Sequence, residues 1–186
     1  MIAKRGCGKT SLIKDILQRY DQEFINNSLI ISPKEKINPF YKKYFSNAEI
    51  IYDLNFNKIE TYLDNKKPGA IILDDCLLSH QDLKNEIYAN LMFNGRHYKK
   101  MVITTIQYPL PIPPQFRCNF DYVFMFNDDN VSNKKRLYDQ YAGIFPSYYT
   151  FDNVFKYMTF EPYSSMVIKN FGVAKCFEDK VFWYKS

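Results

Sequence analysis

The run Ala3-Lys4-Arg5-Gly6-Cys7-Gly8-Lys9-Thr10 fits the pattern G-x-x-x-x-G-K-[ST] at every position except the first, where Ala replaces Gly. Nothing else in the chain restricts its fold as strongly. In a loop of this kind the glycines let backbone N–H groups turn inward around phosphate oxygens. The lysine neutralises the β- and γ-phosphate charge, and the Ser or Thr hydroxyl ligates Mg²⁺. Arg5, Gly6, Cys7, Gly8, Lys9, Thr10 and Ser11 are therefore the candidate ATP-binding residues, with Thr10 also a candidate Mg²⁺ ligand. A helix is expected to open at Thr10, because Leu12, Ile13, Ile16, Leu17 and Tyr20 fall on one helical face with Lys14, Asp15, Gln18 and Arg19 opposite.

A phosphate-binding loop normally connects a buried central strand to its helix, yet only Met1 and Ile2 precede this one. The first strand is expected to be missing from the chain, through either fragmentation or natural truncation. A strand lost from the middle of a sheet exposes two unpaired edges, which favours a fragment whose start lies upstream.

The 186 residues suit one domain with a real core, here taken as residues 1–186. Aromatic residues reach 18%, with 16 Tyr and 16 Phe, but the accompanying excess of Lys, Asn and Ile points to an AT-rich coding sequence more than to base-stacking platforms. The formal charge of +5 leans only modestly toward polyanionic partners, and the basic residues are scattered in pairs such as Lys42-Lys43 and Lys66-Lys67. Cys7, Cys76, Cys118 and Cys176 have no C-x-x-C pairing, and neither His80 nor His97 has ligand spacing to them. The pattern suggests neither a zinc site nor a disulfide framework. No apolar run approaches a transmembrane segment and no signal peptide is visible, so a soluble intracellular protein with reduced thiols is expected.

Short apolar, β-rich runs alternate with helical patterns, as in a parallel sheet flanked by helices on both faces. The runs are residues 28–32, 70–75, 101–107, 122–126 and 166–169, and the continuous apolarity of 70–73 and 122–126 marks those two as central strands. Helices are expected over 81–94, 132–141 and 151–158. The first of these has Leu83, Ile87, Asn90 and Leu91 inward, a capping box from Ser79 and Asp82, and Gly95 as its stop. Pro109, Pro111, Pro113 and Pro114 make an exposed extended loop. The fold class is thus α/β, a P-loop NTPase lacking its first strand.

Ile71-Ile72-Leu73-Asp74-Asp75 is an apolar strand ending in two acids, the Walker B arrangement. Asp74 can hold Mg²⁺ and Asp75 can polarise the attacking water. Gln107 closes the run beginning at Met101 and is assigned as the γ-phosphate sensor. Arg5, Arg96 and Arg117 are candidates for stabilising transition-state charge, in cis or from a neighbouring subunit. Arg117, just after the proline loop, is the first choice.

Lys4-Arg5-Gly6-Cys7-Gly8-Lys9-Thr10, the tip Leu73-Asp74-Asp75-Cys76, Asn94-Gly95-Arg96-His97, Thr105-Ile106-Gln107-Tyr108-Pro109 with Ile112-Pro113-Pro114, and Arg117-Cys118-Asn119-Phe120-Asp121-Tyr122 together resemble the genome-packaging ATPases of nucleocytoplasmic large DNA viruses. The likeness continues through Tyr141-Ala142-Gly143-Ile144-Phe145-Pro146 and Phe182-Trp183-Tyr184. Those poxvirus-type proteins belong to the FtsK/HerA superfamily. The resemblance implies a homo-oligomeric ring that uses ATP and Mg²⁺ to drive double-stranded DNA into a capsid. It also implies procapsid or membrane-associated assembly partners, and a place in the host cytoplasm at the viral factory or in the virion. A HerA-like helicase or translocase of another DNA process, and a nucleotide-binding subunit that does not hydrolyse, remain as alternatives.

Overall fold

The computed structural model describes residues 1–76, 79–109 and 112–186. Pro111 of the expected proline loop lies outside the described residues. The chain divides into two compact units, Ile13–Thr105 and a second made of Met1–Leu12 with Ile106–Ser186. The boundary falls inside helix α1 (Lys9–Leu17), whose Leu12, Ile13 and Leu17 are fully buried. Because α1 ends at Leu17, Tyr20 leaves the expected apolar face. It is exposed and stacks on Phe24 at 4.1 Å.

In the Ile13–Thr105 unit, α2 (Gln22–Asn26) leads into β1 (Leu29–Ile31), and α3 (Tyr41–Tyr44) into β2 (Glu49–Ile51). Then α4 (Phe56–Asp64) leads into β3 (Gly69–Asp74), while α5 (His80–Lys84) and α6 (Glu86–Asn94) precede β4 (Lys100–Thr105). All strand pairings are parallel, in the order β2-β1-β3-β4. Each parallel connection needs a crossover, and the helices supply it. Every residue of β3 is buried, so both faces of this central strand are covered, as its unbroken apolarity predicts. Each fully buried Ile or Leu there contributes ~1.5–3 kcal/mol. The edge strand β2 and helix α4 were not expected from the sequence. Asn55 caps α4 by accepting from the Lys58 N–H, and Ile59 and Leu63, four apart, turn its apolar face inward.

The helix expected over 81–94 is two helices. Asn85 adopts extended backbone (φ −65°, ψ 133°) and its side chain accepts from the N–H groups of Ile87 and Tyr88, ending α5 and capping α6. The break shifts the helical phase, so Tyr88 rather than Ile87 is fully buried with Leu91.

In the other unit, α7 (Pro114–Arg117) precedes β5 (Tyr122–Phe126), followed by α8 (Val131–Tyr141), α9 (Tyr148–Met158), β6 (Ser164–Lys169) and β7 (Val181–Lys185). The sheet here is antiparallel, β5-β6-β7, which corrects the expectation that residues 122–126 form a parallel strand buried on both faces. Val123 and Met125 point into the core, but Tyr122 is 45% exposed. On that outer face Tyr122 and Phe124 meet Phe182 and Tyr184 edge to face, arching over the smaller Val167 and Ser165. Apolar residues at alternating positions were thus aromatic cover on one side and true core on the other. On the inner side α9 packs on β6, where Phe151 and Phe155 stack at 5.3 Å.

The strand expected before the phosphate-binding loop is represented by Ile2. It bridges in parallel to both Ile106 and Met125, with its N–H donating to Phe124 O (2.8 Å) and its carbonyl accepting from Phe126 N (3.1 Å). Its neighbours complete the pairing, Ala3 N to Ile106 O at 3.1 Å and Ile106 N to Met1 O at 3.0 Å.

Candidate functional site

The loop after Ile2 has the backbone its sequence requires. Gly6 (φ +77°) and Gly8 (φ +101°) lie in the left-handed region, which L side chains rarely adopt. A Cβ on Gly8 would also meet Tyr163 Cδ1 at 2.9 Å, so that position is closed by space as well as by backbone angle. Two residues of positive φ reverse the chain into α1, which starts at Lys9. Thr10 and Ser11 sit in its first turn, where free N–H groups gather and the helix dipole favours anions.

Lys9 is only 5% exposed. Its Nζ donates to the Ala3 carbonyl at 2.6 Å and the Lys4 carbonyl at 3.0 Å, which holds the ammonium across the mouth of its own loop. Cys7 Sγ lies 3.8 Å from the Arg5 carbonyl. Arg5 Nε donates to Gln107 Oε1 at 3.3 Å, so the assigned sensor does reach the loop. Lys4 pairs with Asp128 at 2.8 Å, and that hydrogen bond raises the lysine above its ordinary value. Asp128 is buried and also accepts from Asn130 N and Asn133 Nδ2.

Arg117, at the end of α7, lies over the ring of its own chain's Tyr141, 5.8 Å from the centroid. Burial pushes the Tyr141 hydroxyl up to about 12, with Arg117 opposing. Arg136, which the sequence reading did not single out, sits over the ring of Tyr108 beside Gln107, 5.0 Å from its centroid.

The two acids expected to act as a Walker B pair, Asp74 and Asp75, lie at the C-terminal tip of β3 in the Ile13–Thr105 unit. Asp74 is 1% exposed and receives two hydroxyls, Thr105 Oγ1 at 2.7 Å and Ser32 Oγ at 3.2 Å. Both donors come from the C-terminal ends of the neighbouring parallel strands. Such an edge is where α/β sheets place ligand-binding groups. Asp75 adopts φ +52°, which turns its side chain off the strand direction. Its N–H donates to Thr105 Oγ1 at 2.9 Å and its carboxylate pairs with Lys34. Thr105 Oγ1 also lies 3.2 Å from Asp75 Oδ1, but it has one proton and the shorter contact to Asp74 takes it. Lys34 is therefore a firm charged partner of Asp75. Burial, and then the Asp74 charge, push the neighbouring Cys76 thiol up to about 12.

A carboxylate whose oxygens accept hydroxyl protons keeps further lone pairs, and a single carboxylate plus a hydroxyl suits Mg²⁺, which retains waters and phosphate oxygens for the rest of its shell. Asp74 carries a carboxylate of that kind, and Thr10, in the other unit, separately carries a hydroxyl of that kind.

Besides Arg136, participants to which the motifs assign no role are Asp128, Ser32, Lys34, Thr105 and Tyr163. Asp128 stands two residues beyond the apolar run 122–126, as Asp74 stands directly after its own, and that signal could have found it. Ser32, Lys34 and Tyr163 carry no motif, since only strand register or chain reversal brings them to their partners.

No family model matches the chain. Among the described residues no helix is long and apolar enough to cross a membrane. The fold is that of a P-loop NTPase, similar to the genome packaging NTPase B204 from Sulfolobus turreted icosahedral virus 2. The B204 complex with sulfate gives a TM-score of 0.69 at 15% identity, over 99% of this chain and 93% of that one. The complex with ATP-gammaS gives 0.66 at 13%, over 99% and 94%. In sequence the chain is 36% identical to the uncharacterized protein L437 of Acanthamoeba polyphaga mimivirus over 205 residues, spanning all of this chain and 71% of that protein. It is 30% identical to the uncharacterized protein 088R of Invertebrate iridescent virus 3, spanning all of this chain and 74% of the relative. At that identity and coverage, the chain belongs to the family of viral proteins that includes L437 and 088R.

Proposed function

We propose that the chain is the ATPase of a viral genome-packaging machine, binding MgATP and using its hydrolysis to move double-stranded DNA into a capsid. The observation that carries the reading is the loop itself: Gly6 and Gly8 at positive φ, followed at once by Lys9 at the start of α1. That backbone builds an anion cradle in place. The fold shared with a packaging NTPase that binds ATP-gammaS supports it. Lys9 and Thr10 hold phosphate, Asp74 and Thr10 hold Mg²⁺, Asp75 activates water, Gln107 senses the γ-phosphate, and Arg117 serves a neighbouring subunit in an FtsK/HerA-like ring. Mg²⁺, when bound, offsets phosphate charge in the transition state. The site of action is the viral factory in the host cytoplasm, or the virion.

The test is phosphate release by the full chain with MgATP, with and without duplex DNA. Duplex-stimulated release is expected. Nucleotide binding without release under any condition would instead favour the non-hydrolysing subunit, a reading that the pairing of Asp75 with Lys34 supports.

A further inference from the structure

Gly8 lies against two aromatic rings. A Cβ placed on it would meet Tyr163 at 2.9 Å (Cδ1) and 3.5 Å (Cβ), and Phe126 Cε1 at 3.6 Å. Phe126 is buried, whereas Tyr163 is 53% exposed. Phe126 thus belongs to the core beside the loop, while Tyr163 sets one ring edge on the loop and leaves more than half of its surface open to water.

The backbone at Tyr163 is unusual for such a residue. Its φ of +65° lies in the left-handed region, where a bulky aromatic side chain is an outlier. Local structure holds it there. The Ser164 N–H and hydroxyl both donate to the Glu161 carbonyl, closing the turn that leads into β6. Just past the end of β7, the Ser186 N–H and hydroxyl donate to the Tyr163 carbonyl at 3.4 Å each, and Lys185 pairs with Glu161. A closed turn and a neighbouring strand therefore fix a strained position whose half-exposed ring rests on a phosphate-binding loop. Strain of this kind gathers at ligand-binding positions.

The shape of the ligand says what the ring can do. A triphosphate held by Lys9 and Thr10 carries its base one ribose beyond the α-phosphate, so the base lies beside the loop. Every base has a flat π-face, and stacking it on an aromatic side chain removes it from water without reading its hydrogen-bonding edge.

We propose that Tyr163 is the base platform of the nucleotide site, stacking on the purine of the bound triphosphate. The inference rests on the reading of the loop as a nucleotide site. The ring, not the hydroxyl, makes the contact. Adenine and guanine present the same kind of π-face, so ATP and GTP both use it.

Isothermal titration of the full chain compares MgATP, MgGTP and methyl triphosphate, which keeps the phosphates and lacks sugar and base, in the wild type, Tyr163→Phe, Tyr163→Asn and Tyr163→Leu. Asn tolerates positive φ, so it removes the ring without adding strain, and Leu keeps an apolar side chain beside Gly8. Both are expected to weaken ATP and GTP about tenfold, the effect of losing one base–aromatic stack, and to leave methyl triphosphate unchanged. Tyr163→Phe should match the wild type, which should itself bind ATP more tightly than methyl triphosphate. Thermal unfolding shows which variants are folded. Unchanged ATP affinity in a folded Tyr163→Asn or Tyr163→Leu, an equal loss for ATP and methyl triphosphate, a loss confined to one purine, or a wild type that binds ATP no better than methyl triphosphate overturns the platform and keeps the loop as a phosphate site. A wild type that binds none of the three removes the nucleotide reading as well.

Discussion

Thr105 Oγ1 donates to Asp74 Oδ1 across 2.7 Å, from the last residue of β4 to the last residue of β3. The two are direct register partners in adjacent parallel strands, so the contact is set by strand pairing. Thr105 is fully buried and also accepts the Asp75 N–H. Thr105→Val keeps the shape and removes the hydroxyl, which leaves a buried carboxylate oxygen and a backbone N–H short of a partner. A loss of about 1–3 kcal/mol in unfolding free energy is expected, with weaker Mg²⁺-dependent nucleotide binding. Denaturant titration and nucleotide titration at varied Mg²⁺ check the two halves. Unchanged values in both would show that the hydroxyl does not matter.

Lys9→Ala removes an ammonium held across the cradle, together with its bonds to the Ala3 and Lys4 carbonyls. ATP affinity should fall at least about a hundredfold, since a charge-assisted phosphate contact and the ordering of the loop are lost together. Isothermal titration decides it, and retained affinity would remove the assignment of the loop.

Asp74 and Asp75 should separate by role. Asp74→Asn is expected to weaken Mg²⁺-dependent binding, and Asp75→Asn to leave ATP bound with kcat reduced about a hundredfold or more. Binding and turnover have to be measured on the same preparations. Turnover by Asp75→Asn at the parental rate would transfer the water-positioning role to another residue, with Glu86 at the start of α6 the first to test.

Arg117 is expected to act on a neighbour's nucleotide. Arg117→Ala subunits keep a sound loop and Lys9→Ala subunits keep a sound arginine, so mixing two nearly inactive preparations should restore part of the ATPase activity. Full duplex-stimulated activity in Arg117→Ala alone would reduce the residue to its packing on Tyr141 and move attention to Arg5, Arg96 or Arg136.

Lys100 gives a pH signature unconnected with nucleotide. Its Nζ donates to Asn65 Oδ1 (2.8 Å) and the Lys67 carbonyl (2.7 Å), and burial lowers its pKa from 10.5 to about 8. Between those two values the unfolded chain binds a proton that the folded chain has released, so stability rises with pH across that window. Thermal unfolding of the wild type, referenced to Lys100→Met at each pH, should show this gain above pH 8 and a flat difference below it. Parallel curves throughout would mean that the amine is not desolvated.

The sequence was most legible where neighbouring residues alone decide the outcome. Gly6, Gly8 and Lys9 specify the reversal into α1 within a few positions. The unbroken apolar run 70–73 required a strand covered on both faces, and β3 is that strand. The outline of α5 and α6 was visible, but their separation was not, because Asn85 reads as an ordinary helix-surface residue until its side chain is seen capping Ile87 and Tyr88. The run 122–126 misled because its apolarity is equally consistent with core and with aromatic cover. Only its antiparallel partner β6, and the rings that reach over from β7, settle which face is which.

By itself, then, the sequence determined the glycine loop that turns into α1, the central strand and the two acids at its tip, all products of short-range spacing and local backbone preference. Tertiary structure decided what those acids touch. Ser32 reaches Asp74 across 42 positions of chain, Thr105 across 31, and Lys34 reaches Asp75 across 41. Partners that distant meet because parallel register brings three strand ends to one edge of the sheet, and no local pattern records which side chains a register will bring together.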